Sequence, residues 1–241
     1  MNFIRKDNEV FCDNDEENLE DKYENALEKV RYNALDLEKY MDIQTEEMCR
    51  IAVKTYGYAM EFVKDQFQTE YICKLAVINT PYALEFINNQ TEELCKLAVK
   101  QDGLTLKYVR DQTEDICKFA VQQNGLAIKM VKNQTEDICK IAVKKDGNML
   151  NYVKYQTEEI CKLAVSSDGL VLRYIKNQTE EICKLAVQQN GLALKYVNEI
   201  LQTEEICKLA IKKFGCFPLM YAKKEFQTEK MINLLNPNFN S

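Results

Sequence analysis

One ten-residue phrase, Gln156-Thr157-Glu158-Glu159-Ile160-Cys161-Lys162-Leu163-Ala164-Val165, is written into this chain eight times with small changes. Its Gln-Thr-Glu opening falls at Gln44, Gln68, Gln90, Gln112, Gln134, Gln156, Gln178 and Gln202, with a truncated ninth copy at Gln227. The steps are 24, 22, 22, 22, 22, 22, 24 and 25 residues. A fixed period of this size belongs to stacked repeats, in which one supersecondary unit is copied and each copy packs on its neighbours.

The unit reads as two helices. Thr157 is placed to cap the first, its hydroxyl accepting from backbone N–H groups one turn inside. Glu158 and Glu159 sit in the first turn, where the helix dipole favours negative charge. Ile160, Leu163 and Ala164 form an i, i+3, i+4 stripe that Cys161 and Val165 widen. Asp168-Gly169 then predicts a stop, with glycine in the left-handed C′ conformation. Leu170 to Ile175 predict a second, shorter helix, giving a helix–turn–helix of about eleven and about seven residues. A lone unit buries too little to offset the entropy of ordering it, so the copies must stack. The fold class is therefore all-α, an α-solenoid of short, about 22-residue helix–turn–helix repeats.

The domain plan follows. Residues 1–18 form an acidic N-terminal arm, and 19–43 a degenerate N-terminal capping repeat with apolar spacing at Tyr23, Ala26, Leu27 and Val30. Residues 44–226 hold the eight tandem repeats, and 227–241 a C-terminal half-repeat, through Met231, Ile232, Leu234 and Leu235, and a tail. Pro81 replaces the turn glycine in the second repeat, so that turn should differ, with Pro81 opening the second helix. Phe67, Ile200-Leu201 and Phe226 accompany the longer repeats and should keep apolar contact there.

Of ten cysteines, eight (Cys49, Cys73, Cys95, Cys117, Cys139, Cys161, Cys183 and Cys207) hold one slot. Stacked helices lie about 8–10 Å apart, beyond the ~7 Å Cα separation a disulfide spans, so these read as buried thiols. The chain has no histidine, no Cys-x-x-Cys pair and no phosphate-binding Gly-rich loop, so no catalytic residue, metal or cofactor is expected. An active site is built once, whereas these groups recur in nearly every copy. Glu158 and Lys162 recur as an i, i+4 pair in each complete repeat, from Glu46/Arg50 to Glu204/Lys208, and read as a solvated face.

Function in such an array should lie where the repeats differ on an exposed face. Two slots of the second helix differ, one and four residues past its Leu-Ala-Leu segment. In repeats three to seven they supply Lys107, Arg110, Lys129, Lys132, Lys154, Arg173, Lys176 and Lys195, a candidate partner-binding stripe on a protein of net charge −6. Three readings stay open: helix-end lysines that meet the acidic first turn of the next repeat, a surface for an acidic protein partner, and a nucleic-acid contact. No interleaving of exposed aromatics is expected beside the stripe, and the acidic balance gives no push toward nucleic acid or a membrane. No apolar run is long enough for a membrane span, and Met1 to Asp7 lack the apolar core of a signal peptide.

The core Ala186-Val187-Gln188-Gln189-Asn190-Gly191-Leu192-Ala193-Leu194-Lys195-Tyr196-Val197 resembles the uncharacterised tandem α-helical repeats of amoeba-infecting giant DNA viruses of the mimivirus type. The likeness covers residues 44–235, although the 22-residue step is shorter than that family's spacing. It implies a helical repeat protein and carries no catalytic residue over. The expected function is a non-catalytic scaffold for protein–protein interaction, viral by the resemblance and intracellular, in host cytoplasm or virion. It would be neither secreted nor transmembrane. The alternative is a nucleic-acid-associated protein using the basic stripe.

Overall fold

The computed structural model describes residues 18–233. Two compact units divide the chain, one up to Asn89 and one from Gln90. Helices and their links account for the described residues, and no strand occurs among them. Of the expected acidic arm, residues 1–17 lie outside the described residues, as do Leu234, Leu235 and the tail after them.

The first unit opens with α1 (Leu19–Tyr32), capped by Asn18, and a 3-10 helix, Ala34–Ile43. Helices α2 (Glu46–Thr55) and α3 (Glu70–Asn79) follow, each paired with a six-residue 3-10 helix, Gly57–Phe62 and Pro81–Phe86. The second unit continues with α4 (Glu92–Gln101), α5 (Glu114–Gln123), α6 (Glu136–Lys145), α7 (Glu158–Ser167) and α8 (Glu180–Gln189). Their 3-10 partners are Gly103–Tyr108, Gly125–Met130, Gly147–Tyr152, Gly169–Tyr174 and Gly191–Tyr196. Helix α9 (Glu204–Phe214), the 3-10 helix Phe217–Tyr221 and α10 (Glu229–Asn233) close it. Within each unit, α-helix packs on α-helix and 3-10 helix on 3-10 helix, and each 3-10 helix also packs on the α-helix that follows. This is the solenoid predicted from the period.

The repeat unit differs from its sequence reading in three ways. Its second helix is a tight 3-10 helix, the form short helical pieces take, and Val or Ile ends it in extended conformation. The core of the α-helix is Ile160, Cys161, Ala164 and Val165. Leu163 is only half-buried, because two layers face this helix, its α neighbour and the 3-10 column, and the four buried positions straddle both.

The glycine is not a left-handed stop. Asp168 ends α7 at φ −148°, ψ 115°, and its Oδ1 accepts from Leu170 N–H at 2.9 Å, so it caps the next helix instead. Glycine follows because of close approach. A Cβ on Gly147 would lie 2.9 Å from the Ala164 carbonyl oxygen of the next repeat, and on Gly57 2.7 Å from that of Ala76. Among the described glycines positive φ is confined to Gly215 (74°), which ends the eleven-residue α9. The Pro81 turn is also unchanged: Thr80 keeps φ −146°, ψ 109°, and Pro81 opens the 3-10 helix as expected.

The extra residues of the longer repeats form single 3-10 turns, Asp65–Phe67, Glu199–Leu201 and Lys224–Phe226. Phe67, Leu201 and Phe226 are half-buried there. Ile200 is 88% exposed and makes no such contact. In the closing half-repeat Met231 is buried while Ile232 faces solvent.

Candidate interaction surface

The glutamine that opens each repeat positions the surface. Gln156 donates from Nε2 to the Tyr174 carbonyl (2.8 Å) and to the Leu150 carbonyl of the preceding repeat (3.3 Å), and its Oε1 accepts from Lys176 N–H (3.0 Å). One side-chain amide thus satisfies backbone groups at the ends of two successive 3-10 helices. Gln112 and Gln134 make the same set. In the first unit Gln44 bridges Phe62 and Lys64, and Gln68 bridges Phe86 and Asn88. A short helix has few internal hydrogen bonds, so a half-buried amide that meets its last free groups is worth more than its position outside the helix suggests. The sequence signal was present, a glutamine repeated without variation, but its partners lie 18 and 20 residues away.

A second bracket joins the α-helix ends. Gln123 donates to the Gln101 carbonyl (3.2 Å) and accepts from Gly103 N–H (2.7 Å), and Gln189 does the same with Ser167 and Gly169. At the equivalent position Lys145 Nζ donates to the carbonyls of Gln122 and Gln123, the latter at 2.8 Å.

The thiol column is buried beside these amides. Burial pushes Cys49 up to about 12 and Cys73, Cys95, Cys183 and Cys207 up to about 11. They stand as thiols at neutral pH, not as the thiolates that attack or bind metals.

The exposed face of the α-helices is occupied by its own charges. Lys140 reaches Glu136 at 3.3 Å and Glu159 of the next repeat at 2.9 Å. Lys118, Lys162 and Lys184 bridge in the same way to Asp137, Glu181 and Glu205. The hydrogen bond to the next repeat's carboxylate leads in raising the ammonium pKa of Lys140, Lys162 and Lys184. The pair expected within each helix is therefore also a link between helices. The first repeats depart from it: Arg50 pairs with Glu47 rather than Glu46, and no ion pair joins Glu70 to Lys74 among the described residues.

All eight predicted stripe residues are exposed, but the structure puts them in two rows. Lys107, Lys129, Arg173 and Lys195 are in the 3-10 helices. Arg110, Lys132, Lys154 and Lys176 lie beyond their ends, on the link, with backbone N–H groups held by the glutamines. The shared helix face expected from three-residue spacing is thus replaced by a helix row and a link row, because each 3-10 helix stops after six residues. In the link row, Lys132 Nζ donates to the Arg110 carbonyl (2.7 Å) and Lys154 Nζ to the Lys132 carbonyl (3.3 Å). The acidic first turns are met by Lys118, Lys140, Lys162 and Lys184 instead.

Tyrosine rings lie beneath the helix row. Lys107 lies over Tyr108 (4.3 Å to the centroid), Lys129 over Tyr152 (4.9 Å) and Arg173 over Tyr174 (4.6 Å). These rings are half-buried. A shallow hollow of about 270 Å³ opens in the link row, lined by Lys154, Tyr155, Gln156, Thr157, Lys176 and Asn177. From 125 to 198 the 3-10 helices and the links after them contain no aspartate or glutamate.

The segments 113–157, 135–178 and 179–227 match a domain of unknown function, DUF4116. Each match spans two consecutive repeats, so that domain corresponds to a pair of these steps. No curated protein and no solved structure matches the chain. No helix among the described residues is long and apolar enough to cross a membrane.

Proposed function

We propose that this chain is a non-catalytic scaffold that holds a protein partner on the basic face of its 3-10 column. One observation carries the reading: the Glu/Lys ladder of the α-helices pairs within and between repeats, while from 125 to 198 the 3-10 helices and the links after them present cations and no carboxylate, Asp146 and Asp168 lying before those helices as their caps. Groups repeated in every copy serve the stack. The stripe varies from copy to copy; Lys132, Lys154 and Arg173 each reach the preceding repeat, yet all stay exposed. On the resemblance of the repeat core to giant-virus repeats, the scaffold works inside a cell, in host cytoplasm or in the virion.

The cation–tyrosine pairs favour a second reading, a nucleic-acid-associated protein. The rings beside the helix row are half-buried under lysine and arginine, and the exposed Tyr155 is replaced by Asn133 and Asn177 in the neighbouring repeats. Successive bases therefore find no run of rings to stack on, and this puts the protein partner first. Affinity purification with and without nuclease separates the two. The scaffold reading expects a partner that survives nuclease and is lost when Lys107, Arg110, Lys129 and Lys132 are together replaced by glutamine. Loss of all retained material on nuclease treatment supports the nucleic-acid reading instead.

A further inference from the structure

The partner's shape can be read from the way the cations are arrayed. Lys129, Lys132, Lys154, Arg173, Lys176 and Lys195 are all exposed, and none is in an ion pair among the described residues. They recur once or twice per repeat, and the carbonyl contact from Lys154 back to Lys132 aligns the link row along the direction of stacking. The result is two parallel rows of charge, Lys129, Arg173 and Lys195 on the 3-10 helices and Lys132, Lys154 and Lys176 on the links, rather than a compact patch. Neighbouring repeats stack at about 8–10 Å, and an extended peptide in the polyproline II form advances about 3.1 Å per residue with about three residues per turn, so every third residue of such a peptide faces the same side and meets a new repeat.

The hollow between Lys154 and Lys176 adds polar groups of the right kind. Asn177 offers an exposed amide there, and Asn133 is the exposed residue at the same place two repeats earlier. An amide carries both donor and acceptor, as a peptide group does. Tyr155, 78% exposed at the same hollow, offers apolar surface between the charges.

We infer that the 3-10 face of residues 125–198 binds an extended acidic peptide segment whose carboxylates recur every third residue. This rests on the scaffold reading and names the chemistry of its partner. Attraction is electrostatic and falls with added salt, while the matched spacing supplies the selectivity.

The test uses the full chain and three fluorescent probes of equal length. One is a 15-residue Gly/Ser peptide with glutamate at every third position, one is its isomer with the glutamates clustered, and one is dT15. The proposal expects the spaced peptide to bind about tenfold tighter than the clustered isomer, and about tenfold weaker to the Lys129→Gln, Lys132→Gln, Lys154→Gln, Lys176→Gln variant, as four exposed charge contacts should give. A control that replaces Lys29, Lys54, Lys144 and Lys212, all on α-helices, should bind as the parent does, with circular dichroism confirming that both variants are folded. Equal affinity for the two isomers overturns the spacing, and an unchanged stripe variant overturns the site. If neither peptide binds but that variant still loses a nuclease-resistant protein partner, the scaffold reading stands and the extended acidic segment falls. Tighter binding of dT15 than of either peptide overturns both.

Discussion

The two units build the same repeat with different side chains at its turn and on its 3-10 face. In the second unit Asp102, Asn124, Asp146, Asp168 and Asn190 cap the 3-10 helices with side-chain oxygens. In the first unit Tyr56 and Thr80 hold that position and make no side-chain cap. Tyr56 packs on Tyr58 (5.5 Å between centroids), and Tyr58 meets Phe86 edge-on at 6.3 Å. The backbone is nearly the same, φ −146° and ψ 105° at Tyr56 against φ −148° and ψ 115° at Asp168. Capping refines this turn, while the packing of helix on helix creates it. The 3-10 face differs in charge as well. Glu61 and Glu85 occupy the slot that Lys107, Lys129, Arg173 and Lys195 hold further along, so the frame tolerates either sign.

The glycine slot should give the largest effect and the hardest test of a common frame. A Cβ at Gly103 would overlap the Ala120 carbonyl oxygen, whereas at Gly125 it meets the Met149 side chain at 3.3 Å, which can move. Gly103→Ala should therefore cost about 3 kcal/mol and Gly125→Ala less than about 1 kcal/mol in urea denaturation. Gly57, facing Ala76 in the first unit, should behave as Gly103 does. If Gly57→Ala is instead mild, the two units do not share the close approach.

The glutamine staple comes next. Gln156→Leu leaves the Tyr174 and Lys176 backbone groups without their partner and should cost about 2 kcal/mol. Gln68→Leu in the first unit should cost the same, because its bonds to Phe86 and Asn88 are equivalent. A large disparity between the two midpoints would show that the first unit relies on its aromatic cluster rather than on the amide.

Caps sharpen the contrast at lower amplitude. Asp168→Ala should cost about 1 kcal/mol, and Thr80→Ala, which removes no cap bond to the 3-10 helix, clearly less. Thermal melts of the two variants side by side check this, and equal losses would mean that the cap contributes nothing beyond the packed turn.

The smallest effect belongs to the charges. Glu61→Lys and Glu85→Lys should each change stability by less than about 0.5 kcal/mol, read from the same urea midpoints. A larger loss would mean that the acidic slot of the first unit supports its fold, and the sign of charge on this face could no longer be assigned to function alone.

Period, composition and capping chemistry are local, so the helical repeat, its register, the threonine caps and the shared cysteine slot could all be read from the residues. The varying basic slots were legible too, as a departure from the repeated pattern, but their division into a helix row and a link row was not. What the residues alone could not decide involves groups about one repeat apart in the chain. Six apolar-rich residues after a turn suit an α- or a 3-10 helix equally, and the choice is made where Gln156 collects the free ends of that segment and its predecessor. The glycines carry the same lesson: their chemistry permits a left-handed stop, but the next repeat's carbonyl takes the space of a side chain, and only stacking brings it there. The lysines of the α-helices pair within their own helix by spacing and across repeats by packing. Local periodicity determined which elements form and which faces they bury. Distances between stacked copies, set by the tertiary structure, decided which helix type, which bracket and which ion pairs between repeats form.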